Sequence, residues 1–190
     1  IIDGILHELQ MVTHRIPFST NNGFPYWFIY PDLSPLTLAM SEQLQKLRFL
    51  LGEWKGRAED QFGEKGVIES TFSFTQAPSD RFIMGQGESR KEGQLVNRAV
   101  SFLMWDQNIA KYVRKSVFSY GWINNEVGEW KDDRLVFNIV SIDGEPEFFR
   151  GVSWRSFIQK YSEDEIGSGL EVAKKGEQFR LYGETRARRV

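Results

Sequence analysis

Phe179-Arg180-Leu181-Tyr182-Gly183-Glu184-Thr185-Arg186-Ala187-Arg188 divides by parity into two sets. Phe179, Leu181, Gly183, Thr185 and Ala187 are apolar or small, whereas Arg180, Tyr182, Glu184, Arg186 and Arg188 are polar. Successive side chains of a strand point to opposite faces, so this segment reads as a strand with a core side and a solvent side. Going back toward Glu53, segments rich in Val, Ile, Phe, Trp, Tyr and Thr alternate with turn clusters. The turns are Gly63–Gly66, Pro78–Asp80, Lys91–Gly93, Asp106–Asn108, Asn124-Asn125, Lys131–Asp133, Asp143–Pro146, Ser162–Asp164 and Lys174–Gly176. No helical pattern of useful length falls between them, which argues against parallel βαβ units. The expected fold is all-β, an antiparallel up-and-down barrel of about ten strands, because closing the sheet removes its edges. A two-sheet sandwich is the alternative. A barrel of this size encloses room for one small ligand.

The composition narrows the chemistry. The chain has 190 residues, 41% hydrophobic and 14% aromatic, which supplies a sizeable core. It contains no cysteine, and its only histidines are His7 and His14. Disulfides, thiolate metal sites and cysteine nucleophiles are therefore excluded, and nothing beyond residue 14 has an imidazole for a triad or a zinc site. A formal charge of −2 gives no general pull toward nucleic acid. No apolar run is long enough for a membrane span, no signal peptide is recognised, and the expected location is the cytoplasm. Residues 1–39 hold four of the six prolines, the aromatic run Phe24–Tyr30, and Asp3, Glu8 and Asp32 against the lone Arg15. They read as an N-terminal arm that is either a real extension or sequence upstream of the native domain, with the barrel in 40–190.

A short helix should precede the first barrel strand and close one end. Ser41 is its cap, Leu44, Leu47, Leu50 and Leu51 its apolar stripe, and Gly52 its stop. The helix followed by Leu50-Leu51-Gly52-Glu53-Trp54-Lys55-Gly56 resembles the opening of lipocalin-type (calycin) barrels. That resemblance implies a Trp packed across the closed end against an Arg of the last strand, here Trp54 with Arg186 or Arg188. Phe102-Leu103-Met104-Trp105-Asp106, Lys111-Tyr112-Val113 and Gly128-Glu129-Trp130 before Leu135-Val136-Phe137 are similar in order to a bacterial lipocalin-like family of unknown function. Phe49–Gly56 also resembles the opening of nitrobindin-like haem barrels, relatives of the fatty-acid-binding type. Those hold haem through a late-strand His, but Leu170–Arg189 offers only Tyr182 as an iron ligand. No cofactor and no metal is therefore expected.

The candidate ligand-binding residues are Arg98, Trp105, Tyr112, Arg114, Phe118, Trp122 and Trp154. The aromatics could line a cavity, and Arg98 and Arg114 interrupt otherwise apolar strands. Arg98 shares parity with Val96, Val100, Phe102 and Met104; if that face points inward, the buried cation needs an anion such as a ligand carboxylate. The acids Glu69, Glu88, Asp106 and Glu147 show no spacing that brings them together, so no catalytic residue is assigned. Gly85-Gln86-Gly87 lacks the third Gly and the helix of a phosphate loop and marks a bulge or a close contact. The expected function is binding of a small apolar or amphipathic, even acidic, molecule. The alternatives are an isomerase or hydrolase using carboxylate and Tyr groups, or a filled barrel serving only as a homodimer.

Overall fold

The computed structural model describes residues 13–18, 26–31, 41–59, 66–77, 80–144 and 150–190. The chain divides into two compact units, Ile1–Leu38 and Ala39–Val190. The first contains an antiparallel pair, β1 (Thr13–Phe18) and β2 (Tyr26–Pro31), with Phe18 opposite Tyr26 and Thr13 opposite Pro31. Part of the aromatic run thus forms a strand, in keeping with the β preference of aromatic residues.

The second unit is a closed antiparallel barrel of ten strands. In chain order these are β3 (Gly52–Glu59), β4 (Val67–Gln76), β5 (Phe82–Lys91), β6 (Gln94–Asp106) and β7 (Lys111–Phe118). They continue with β8 (Ile123–Lys131), β9 (Arg134–Asp143), β10 (Val152–Lys160), β11 (Glu165–Lys174) and β12 (Arg180–Arg189). Each pairs with the next, and β12 returns to pair with β3, with Ala187 opposite Gly56 and Arg189 opposite Trp54. The sheet closes, so it is a barrel and not the alternative sandwich. No helix among the described residues is long and apolar enough to cross a membrane.

The predicted helix is present but short. Ser41 Oγ accepts a hydrogen bond from the Leu44 N–H and caps α1 (Glu42–Gln45), which passes into a 3-10 turn at Arg48–Leu50. Gly52 ends the segment at φ +121°, a left-handed conformation that a Cβ would oppose. Leu44, Leu47 and Leu50 plug the barrel against Trp54, Ile83, Leu103 and Leu135, forming the main core.

Trp54 is buried and its Nε1 donates to the Leu50 carbonyl at 2.7 Å. The cation over its ring is Arg189 at 4.3 Å, not Arg186 or Arg188. The strand register gives the reason. Arg189 shares the inward parity of buried Ala187, whereas Arg186 lies over Tyr161 at 4.0 Å on the outer face and Arg188 stays exposed. Arg189 also donates to the carbonyls of Leu51 and Phe49, satisfying groups that the short helix leaves open.

Two further sequence expectations shift. Asn124-Asn125 is not a turn; it lies inside β8, and the chain reverses at Ser119–Trp122, where Gly121 takes φ +94° and its N–H donates to Phe118 O at 3.0 Å. The alternation in β12 also breaks. Leu170 faces Gly183 but Glu171 faces Leu181, so Tyr182 is an extra bulged residue. Beyond the bulge the faces exchange: Leu181 is exposed and Tyr182 packs edge-on against Trp154, with ring centroids 5.1 Å apart.

Candidate functional site

Above the leucine plug, the barrel does not fill. Several inward positions of β4, β5 and β6 carry short side chains: Ser70 on β4, Gly85, Gly87 and Ser89 on β5, and Asn97, Ala99 and Ser101 on β6. Together with Ser168, Thr185 and Arg114 they line a cavity of about 240 Å³, with Leu50, Phe72, Phe74, Ile158 and Ile166 as its apolar part. Ser70 Oγ and Ser89 Oγ hydrogen-bond at 2.9 Å. Gly85 has a packing reason: a Cβ there would sit 2.5 Å from Ser101 Oγ and 2.8 Å from the Phe74 ring. The Gly-Gln-Gly run is thus a close contact, one of the two readings its sequence allowed.

Beside the cavity lies a buried polar cluster. Arg114 on β7 stands directly opposite Glu126 on β8. Its Nε donates to Glu126 Oε2 at 2.6 Å and its Nη2 to Oε1 at 2.8 Å, a two-point pair. Ser156 Oγ donates to Glu126 Oε1 at 2.9 Å and also receives an Arg114 Nη2 hydrogen bond. The Glu126 side chain is 2% exposed and that of Arg114 14%. The guanidinium lies 4.2 Å from the centroid of the Phe137 ring. A buried ion pair persists only when both members are hydrogen-bonded, which is the case here.

At the end away from the helix, Trp154 and Val172 gather Trp122, Ile139, Ile142, Val152 and Tyr182 into a second apolar cluster. Trp122 stacks on Tyr120 at 5.0 Å and meets Phe118 at 5.6 Å. In the same region Asn124 is buried, and its Oδ1 has no hydrogen-bond partner among the described residues.

The structure separates the seven candidates. Phe118, Trp122 and Trp154 come together at this end. Arg114 reaches the cavity. Trp105 and Tyr112 pack edge-on at 5.0 Å inside the helix end, where Tyr112 donates to Gln43 O at 2.9 Å and accepts from Trp130 Nε1 at 3.2 Å. Arg98 lies on the outer surface, its side chain 65% exposed, 3.6 Å from Glu88. The condition for a buried Arg98 therefore fails: β6 sends Asn97, Ala99, Ser101 and Leu103 inward and leaves Val100 and Met104 exposed outside. Sequence reasoning missed Glu126, whose signal was a lone acid at the same parity as Gly128 and Trp130.

The other acids stay apart. Glu69 pairs with Arg57 on the exterior, and Asp106 Oδ1 accepts from the Asn108 N–H at 2.8 Å within its turn. Glu147 lies outside the described residues.

Burial pushes the Tyr112 phenol above its ordinary pKa, and the Trp130 N–H pulls more weakly the other way. Below pH about 10 the folded and unfolded chains both keep this proton, so Tyr112 adds no pH dependence. Above that, the unfolded chain ionises first, and stability falls as pH rises. Thermal melts across alkaline pH should therefore show a steeper decline in the native protein than in Tyr112→Phe. Equal slopes would refute this assignment.

No protein-family profile matches the chain, and no curated protein matches it significantly. Solved structures do. Rv2717c from Mycobacterium tuberculosis superposes with a TM-score of 0.59 at 17% identity, over 80% of this chain and 99% of that one. The S-type phycobiliprotein lyase CPES from Guillardia theta gives 0.51 at 10% identity, over 78% and 92%. At such identities the likeness concerns the fold. Together with the closed ten-strand sheet, it shows that the second unit is an antiparallel β-barrel whose fold resembles those of these two proteins.

Proposed function

We propose that this protein is a binding module that holds one small amphipathic molecule inside its barrel. The observation that carries this reading is the cavity of about 240 Å³ whose walls are hydroxyl-bearing and small side chains while its base is apolar. A core built only for stability would close such a space, because interiors pack to crystal density. Ligand sites combine an apolar surface with a few placed polar groups, and here Arg114, Ser101 and Ser168 supply the latter. Among the residues that the sequence singles out, we assign Arg114 to the cavity, whereas Phe118, Trp122 and Trp154 belong to the separate aromatic cluster at the end away from the helix. The motifs of β6, β7 and β8 that resemble the bacterial lipocalin-like family support placing the chain near it.

Ala99 lines the cavity with only a methyl group. Native mass spectrometry of the protein purified from cells is expected to show a small molecule released on denaturation. Ala99→Phe, which fills the cavity, should abolish that extra mass. Retention of the same adduct by Ala99→Phe would place binding elsewhere and refute the interior site.

A further inference from the structure

We propose that Glu126 sets the charge of the ligand, so that the cavity selects a neutral carbonyl-bearing molecule over the corresponding carboxylate. This rests on the binding reading above and names the ligand class for the same cavity. An arginine inside a barrel would ordinarily attract an acid, since a guanidinium fits a carboxylate at two points. In this barrel that geometry is already taken: Nε and Nη2 of Arg114 are engaged by Glu126, and Nη2 also by Ser156. Nη1 has no hydrogen-bond partner among the described residues, and Arg114 lines the cavity. Two N–H donors thus remain for a ligand acceptor.

The charge balance decides which acceptor. Glu126 is all but fully buried and cancels Arg114. The other charged residue lining the cavity, among those described, is Glu88, whose carboxylate is met by Arg90 at 3.0 Å and by Arg98 of the outer surface at 3.6 Å. The remaining polar lining is hydroxyl and amide. A ligand carboxylate would be a second negative charge on a guanidinium that Glu126 already neutralises, in surroundings where screening by water is weak. An amide or ketone oxygen accepts the same two N–H groups and adds no charge. Glu126 is therefore a specificity residue acting through Arg114.

The test uses two matched probes, 2-naphthamide and 2-naphthoate, titrated by fluorescence into the full chain near neutral pH. The amide is expected to bind about tenfold or more tightly than the acid. Glu126→Gln keeps an acceptor for Arg114 but removes the negative charge, so it should raise the acid's relative affinity by about tenfold or more. Equal binding of the two probes to the native protein, or an unchanged ratio in Glu126→Gln, would overturn the inference and leave the cavity reading standing. Binding of neither probe would overturn both. Should Glu126→Gln not fold, the double variant Arg114→Met/Glu126→Leu replaces both charges with apolar groups. It should lose about tenfold in amide affinity, and full affinity for the amide would overturn the inference.

Discussion

Trp54→Ala is expected to lower the unfolding free energy by about 3–5 kcal/mol, the range for truncating a large buried aromatic. The loss has three sources. The indole leaves a void among Leu50, Ile83 and Ala187 at the closed end. The Leu50 carbonyl loses its Nε1 donor, and Arg189 loses the ring beneath its guanidinium. Arg189→Ala should show a smaller part of this, because it keeps the indole in place and removes a cation–π contact of about 0.5–2 kcal/mol together with its carbonyl contacts. Urea unfolding of the two variants beside the native protein measures both. A Trp54→Ala loss under about 1 kcal/mol would mean that the plug does not hold this end closed.

Arg114→Met should be comparably damaging for a different reason. Removing one member of a buried pair leaves the other desolvated and uncompensated, a penalty of about 3–5 kcal/mol. Glu126 would keep Ser156 and the 3.5 Å contact from Ser116 Oγ, but no opposing charge. The double variant Arg114→Met/Glu126→Leu should recover most of the loss, because an apolar pair of similar volume has no charge to desolvate. Thermal and urea unfolding of the single and double variants form the cycle. Additive losses would show that the two side chains act independently despite their short hydrogen bonds.

The architecture was legible because ten strands announce themselves by turns and residue type. Lys91-Glu92-Gly93 is an example: Glu92 and Gly93 take φ +50° and +80°, the conformation a tight hairpin between β5 and β6 requires. The facing of individual strands was less legible. In β6 the apolar residues Val100 and Met104 lie outside beside Arg98, while the polar Asn97 and Ser101 face inward, because the inside there is a cavity. Hydrophobicity alone therefore left the facing of Arg98 conditional, and the structure turns it outward. The parity of β12 could have identified Arg189, since the same alternation placed Arg186 and Arg188 with the solvent. Its exchange of faces at Tyr182 could not be read, because a bulge depends on the register of the neighbouring strand. Asn124-Asn125 has turn composition, but the reversal falls at Gly121, where the backbone needs positive φ.

The seam between β12 and β3 also governs when the barrel can form. Arg189 meets the carbonyls of Leu51 and Phe49 across 138 and 140 residues of chain. Hairpins from β3 to β11 can form as neighbours, yet the closed end is completed only when β12 arrives. Contacts this distant in sequence slow folding, since the intervening chain must be ordered before they contribute. During synthesis, β3 would expose an unpaired edge until β12 has left the ribosome, and that interval is when a second chain could pair with it.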